Sequence, residues 1–184
     1  MTIIQIRIDN KIQEIELSQI PEYLLQYGFE FEIDISKVWA LITPTVNFPV
    51  SELLWHMDMT PWADNTKPFS VAPKQVLDNP QIYPEHYEKI LNADCSYPLD
   101  IAFNNGRWIV IDGLHRLCSQ IKVGLQENGF IAVRVHSTES LISCMDIDIT
   151  PKHIAEKYFS SVKKINTEKI DYTSSLKNRQ KPRI

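Results

Sequence analysis

Ile109-Val110-Ile111-Asp112-Gly113-Leu114-His115-Arg116-Leu117 runs from an apolar stretch into an amphipathic one across a single glycine. Upstream of it, Leu99-Asp100-Ile101-Ala102-Phe103 alternates, Asn104-Asn105-Gly106 is a strong hairpin turn, and Arg107–Asp112 returns as a second strand. Downstream, Leu114, Leu117, Cys118 and Ile121 have helical spacing, and Gly124 suits the position just past a helix end. Phe130–Val135 then reads as another strand. Residues 98–135 thus predict a strand–hairpin–strand–helix–strand unit, which makes the fold class α/β.

The junction itself carries chemistry. A helix start has unpaired backbone N–H groups and the positive end of the helix dipole, so it attracts anions. Arg116 adds a second positive feature, and the two crowd each other unless an anion lies between them. The guanidinium fork also matches phosphate. Gly113, His115 and Arg116 are therefore candidate phosphate-binding residues. Each residue also has a plainer role. Arg116 can pair with Asp100 or Asp112, His115 can be a satisfied half-buried histidine, and Asp112 can be a helix cap.

Outside this unit, Ile4, Ile6 and Ile8, then Ile12, Ile15 and Leu17, flank an Asp9-Asn10-Lys11 turn and predict a hairpin. Ser18–Gly28 reads as a short helix capped by Ser18, and Phe29–Ile35 as a strictly alternating strand. Seven prolines between Pro44 and Pro84 exclude long helices there. Short helices fit 51–57, 73–78 and 84–91, with a loop across Thr60–Lys67. Within this region Trp55 and Trp62 can stack on a base, and His56 with Asp58 can meet a metal, although a loop packed over the core is the simpler reading. Thr150 and Pro151 open a final helix toward Val162. The division expected is a β-rich extension over 1–43, a central domain over 44–150, and a helix with a flexible basic tail over 151–184.

Composition narrows the classes. At 184 residues, 43% hydrophobic and 23% charged, the chain is an ordinary globular one. No apolar stretch reaches the ~18–20 residues of a membrane span. The N-terminus has no basic region followed by a small-residue cleavage site, so a cytoplasmic protein is expected. Cys95, Cys118 and Cys144 have no CxxC spacing and predict free thiols rather than disulfides or a zinc site. Residues 1–150 carry ten Lys/Arg against twenty Asp/Glu, and residues 151–184 carry nine against three. An acidic body argues against broad nucleic-acid binding; the basic tail is the one segment that can contact DNA or a protein partner.

The stretch from Pro98 to Val135, with PLDIAF, IVIDGLHRL, KVG and IAVRV in order, resembles the ParB/sulfiredoxin superfamily. Residues 71–91 fit the helical segment that precedes the motif in that superfamily. The resemblance implies a small mixed sheet with short helices and a G-x-H-R turn that binds nucleotide phosphates. Sulfiredoxins carry their catalytic Cys where this chain has Leu114, so sulfinic acid reduction is not expected. Partitioning ParB proteins follow a Gly-Glu-Arg-Arg box with a helix-turn-helix domain, for which the 34 residues from 151 are too few. Asp112-Gly113-Leu114-His115-Arg116 is similar to the Asp-Gly-His-His-Arg form of the free-serine kinase branch at four of five positions.

That likeness implies ATP or CTP as ligand, bound by Gly113, His115 and Arg116. It also implies phosphotransferase or nucleoside-triphosphate hydrolase activity. His115 would donate to phosphate or transfer a proton, and Asp112 would hold Mg²⁺. The general base would come from Glu85, Glu88 or Asp100, with Glu85 the first choice. The alternatives are a non-catalytic nucleotide-responsive or DNA-associated regulator, and a ParB-like nuclease.

Overall fold

The computed structural model describes residues 3–8, 11–64 and 67–160. Strands β1 (Ile3–Ile8) and β2 (Lys11–Glu16) form the expected antiparallel hairpin, with Ile8 opposite Lys11. Residues 9 and 10 of its turn lie outside the described residues. A 3₁₀ turn over Leu17–Gln19 leads to α1 (Glu22–Tyr27), whose N-cap is Pro21 and not Ser18. The Ser18 hydroxyl donates to Glu16 instead.

The strand expected over Phe29–Ile35 is not formed. Its alternation is real: Phe31 is buried, and Phe29 and Ile33 pack on the same cluster. But the segment meets only one bridge, Ile33 with Met145, and no ladder. Its backbone is held by Asp34 N–H to Cys144 O, Asp146 N–H to Glu32 O and Glu32 N–H to the Thr150 hydroxyl. Asp34 then caps α2 (Ile35–Trp39) by accepting from Ser36 N at 3.0 Å.

A second sheet carries the site. It comprises β3 (Thr45–Pro49), β4 (Leu99–Asn104), β5 (Arg107–Asp112) and β6 (Phe130–His136), in spatial order β3-β6-β4-β5. β4 pairs parallel to β6, and the other pairs are antiparallel. Pro49 ends the edge strand β3, a position where its missing donor does no harm. Short helices α3 (Pro73–Asp78), α4 (Pro84–Leu91), α5 (Leu114–Lys122) and α6 (Thr138–Ser143) follow the chain, with α7 over 152–160. The helix expected at 51–57 is two 3₁₀ turns, Val50–Glu52 and Leu54–Asp58. Thr150 does not cap α7. Its hydroxyl is taken by Glu32 N–H, and Pro151 O accepts the first helical bonds, from Ile154 and Ala155.

Both faces of this sheet are covered. Leu99, Ile101, Ile131 and Val133 pack with Val50, Leu53 and Leu117 on one side. Val71, Val76, Ile90 and Cys118 extend that side beneath α3 and α4. On the other side Ala102 packs with Phe31, Val38, Leu141 and Met145, and with Ile154 and Tyr158 of α7. No helix among the described residues is long and apolar enough to cross a membrane.

One buried carboxylate ties the central strands. Asp100, 1% exposed on β4, accepts from Arg134 Nε (2.7 Å) and Nη2 (2.9 Å) on β6. It also accepts from His136 Nε2 at 2.7 Å, while Arg134 Nη1 donates to Leu41 O. Paired this way, the charge is tolerable; with one partner removed, a buried charge is left uncompensated. Asp100→Ala should therefore lower stability by about 3–5 kcal/mol, read as a shift in the urea midpoint.

The exposed edge, β5, is capped by side chains. Trp55 Nε1–H donates to Trp108 O at 3.1 Å, and Val110 N–H donates to His56 Nε2 at 3.1 Å. His56 Nδ1–H donates to Leu53 O at 2.9 Å, so both ring nitrogens are used and the imidazole is neutral. Neither metal binding by His56 nor base stacking by Trp55 is what this arrangement provides. Burial, with Arg107 nearby, holds His56 down to about 4 from 6.5. Between those values the unfolded chain binds the extra proton. The stability owed to neutral His56 is thus complete above pH 6.5 and is lost as pH falls toward 4, by up to ~3 kcal/mol. Urea midpoints followed from pH 7.5 to 4 should fall more steeply for the wild type than for His56→Gln.

Candidate functional site

The β5–α5 junction is built around Gly113, whose φ of 99° and ψ of 16° lie in the left-handed region. A Cβ there would meet Arg116 Nη2 and Leu99 Cδ2 at 2.7 Å, so only glycine fits on both counts. With no side chain to cap the helix, the N–H groups of Leu114, His115 and Arg116 have no intrahelical acceptor. Leu117 N–H is the first to pair, with Gly113 O at 3.0 Å.

Asp112 reaches this junction because β5 is bulged. Ile101 pairs with Val110, but Asp100 pairs with Asp112, so Ile111 is the extra residue. Without the bulge Asp112 would face the Leu99 side of the sheet; with it, Asp112 stands beside Asp100 on the opposite face. There its Oδ2 accepts from Arg116 Nη2 and from Trp39 Nε1, each at 2.9 Å. Arg116 is thus folded back over its own helix start, and its Nε is buried without a partner.

An open cleft of about 390 Å³ lies over the junction. Asp112, Gly113, His115 and Arg116 form one wall. Lys89 of α4, with Asp94 and Tyr97 from the following loop, forms the other. Of the residues singled out in the sequence, the cleft therefore gathers Asp112, Gly113, His115 and Arg116. Glu85 and Glu88 are exposed on α4 and do not line it, and Asp100 is buried in its own ion pairs. Lys89, Asp94 and Tyr97 carry no local motif, and only the packing of α4 against α5 brings them here.

His115 stacks on Trp62, with ring centroids 4.4 Å apart and planes 6° from parallel. Burial, with His86 and Lys89 nearby and only Asp112 opposing, holds it down to about 4, so the ring is neutral at pH 7. Trp62 is covered on that face and is not open to a base. Cys118 gives no second centre, being buried and pushed up to about 12, and Leu114, the residue before His115, packs into the core.

Asp112 could serve a cation only through Oδ1, because Oδ2 is engaged. Among the described residues no three His, Cys, Asp or Glu side chains gather into a metal-binding group. One carboxylate oxygen could meet Mg²⁺ only as part of a shell otherwise completed by water and by a ligand's own oxygens.

No family model matches the chain, and neither the curated proteins nor the solved structures contain a match.

Gly113→Ala should cost about 2–4 kcal/mol, combining left-handed strain with the clash at Arg116 and Leu99. Urea denaturation measures it. A loss as small as that of an ordinary surface substitution would mean the junction is slack.

Proposed function

We propose that this chain is a nucleotide-phosphate-binding protein of ParB/sulfiredoxin type, acting as a phosphotransferase or nucleoside-triphosphate hydrolase. The observation that carries this reading is the junction itself. Three unpaired N–H groups, a glycine whose Cβ is excluded, and a guanidinium converge on an open cleft that also has Lys89 in its wall. Phosphate oxygens would take the N–H groups and the outer edge of Arg116, and ATP or CTP would bring Mg²⁺ to Asp112. Phosphoryl transfer needs little beyond such positioning and charge neutralisation.

A non-catalytic switch is the second reading. The net +6 carried by residues 151–184 favours it, since a cationic segment beside an acidic body suits a DNA or protein contact. Residues 161–184 lie outside the described residues.

Calorimetric titration with ATP, CTP and inorganic tripolyphosphate, with and without Mg²⁺, tests both readings. Arg116→Ala should weaken all three ligands at least tenfold, about the value of one charge-assisted hydrogen bond. Unchanged affinity would remove the phosphate site. Tight binding without phosphate release would favour the switch.

A further inference from the structure

Tyr97 lines the cleft, and nothing in the phosphate reading uses it. It is 62% exposed. Among the described residues its ring stacks on no other ring and meets no cation, and its hydroxyl has no hydrogen-bond partner.

The backbone that carries this ring is nevertheless held. Asp94 Oδ1 accepts from Ser96 N–H at 2.9 Å and from the Ser96 hydroxyl at 2.6 Å, and Tyr97 N–H donates to Asp94 O at 3.4 Å. The Cys95 thiol donates to Arg116 O at 3.8 Å, which ties the turn to α5. On the other side Pro98 restricts the backbone, and Leu99, 1% exposed, anchors β4 in the core. An aromatic ring presented to water from a fixed turn loses little further freedom when a ligand meets it.

The cleft changes character from one end to the other. At α5 it offers the helix start and the Arg116 guanidinium, with Lys89 facing them. Beyond Lys89 come the carbonyl end of α4, the Asp94 carboxylate and then the Tyr97 ring. Hydrogen bonds from Ser96, with the Arg116 charge adding to them, hold the Asp94 carboxyl below its ordinary range, so it is ionised at neutral pH. Anionic oxygens are favoured at the first end and repelled from the second. A neutral, flat ring is not repelled there, and Tyr97 gives it a face to lie on.

We propose that Tyr97 is the platform on which the base of a bound nucleotide stacks while its phosphates lie at Gly113–Arg116, an assignment that rests on the nucleotide reading above. Every base has a π-face, so stacking distinguishes a nucleotide from a bare polyphosphate without reading one base by hydrogen bonds. ATP and CTP are thus both ligands of this subsite.

Calorimetry of the full chain with Mg²⁺ and ATP, CTP or inorganic tripolyphosphate tests the assignment in the wild type, Tyr97→Ala and Tyr97→Phe. The wild type should hold both nucleotides more tightly than tripolyphosphate. Tyr97→Ala should weaken ATP and CTP by about fivefold or more, the low end of base–aromatic stacking, and leave tripolyphosphate unchanged. Tyr97→Phe, which keeps the ring, should restore both nucleotides. Because the side chain is exposed, the urea midpoint of Tyr97→Ala should match that of the wild type. Nucleotide affinity unmoved by Tyr97→Ala overturns the platform. So does a loss that tripolyphosphate shares, or one that Tyr97→Phe fails to restore. Failure of the nucleotide reading itself shows differently, as wild-type protein that takes up none of the three ligands.

Discussion

The Asp100 carboxylate is the constraint around which the sheet is arranged. It sits at the only parallel pairing in the sheet's described strands and accepts from both Arg134 and His136 of β6, so it locks the register of two strands that no hairpin connects. Arg134 and His136 in turn reach Leu41 O and the Thr43 hydroxyl, which fixes the segment entering β3. One buried charge thereby sets the relation of β4, β6 and the chain before β3.

The same carboxylate shapes the candidate site. Asp112 on β5 stands directly opposite Asp100 on β4, an arrangement of like charges that costs energy unless each is paired. Asp100 has Arg134 and His136; Asp112 has Arg116 and the Trp39 indole. Arg116 therefore neutralises Asp112 and still presents a cationic edge to the cleft. The helix start keeps its unpaired N–H groups because the capping position holds a glycine. On the phosphate reading proposed above, a ligand bearing negative charge would complete an arrangement that is otherwise neutral at one end and under-bonded at the other.

Much of the fold is legible in the chain because its signals are local. Hairpin turn chemistry at Asn104–Gly106, proline at the first position of α3 and α4, and the glycine before α5 each act on their immediate neighbours, and those elements form where the pattern puts them. The Asn104 and Asn105 amides do more than turn the chain: they donate to Gln26, Tyr27 and Gly28 carbonyls at the end of α1. Phe29–Ile35 misleads for a related reason. Alternation reports that every second residue is buried, which an unpaired extended segment satisfies as well as a strand does.

What the sequence by itself determined is the strand–hairpin–strand–glycine–helix order and the set Asp112, Gly113, His115 and Arg116, since period and turn chemistry are properties of neighbouring residues. Register is not. A bulge at Ile111 rotates Asp112 to the other face of the sheet, and nothing in the local pattern announces it. The meeting of His86 with His115 on Trp62, and of Trp39 with Asp112, depends on which faces the sheet and helices bury. Only the tertiary structure decided these, because side chains from distant segments share a site when the hydrophobic core and the paired charges around Asp100 hold their backbones in one arrangement.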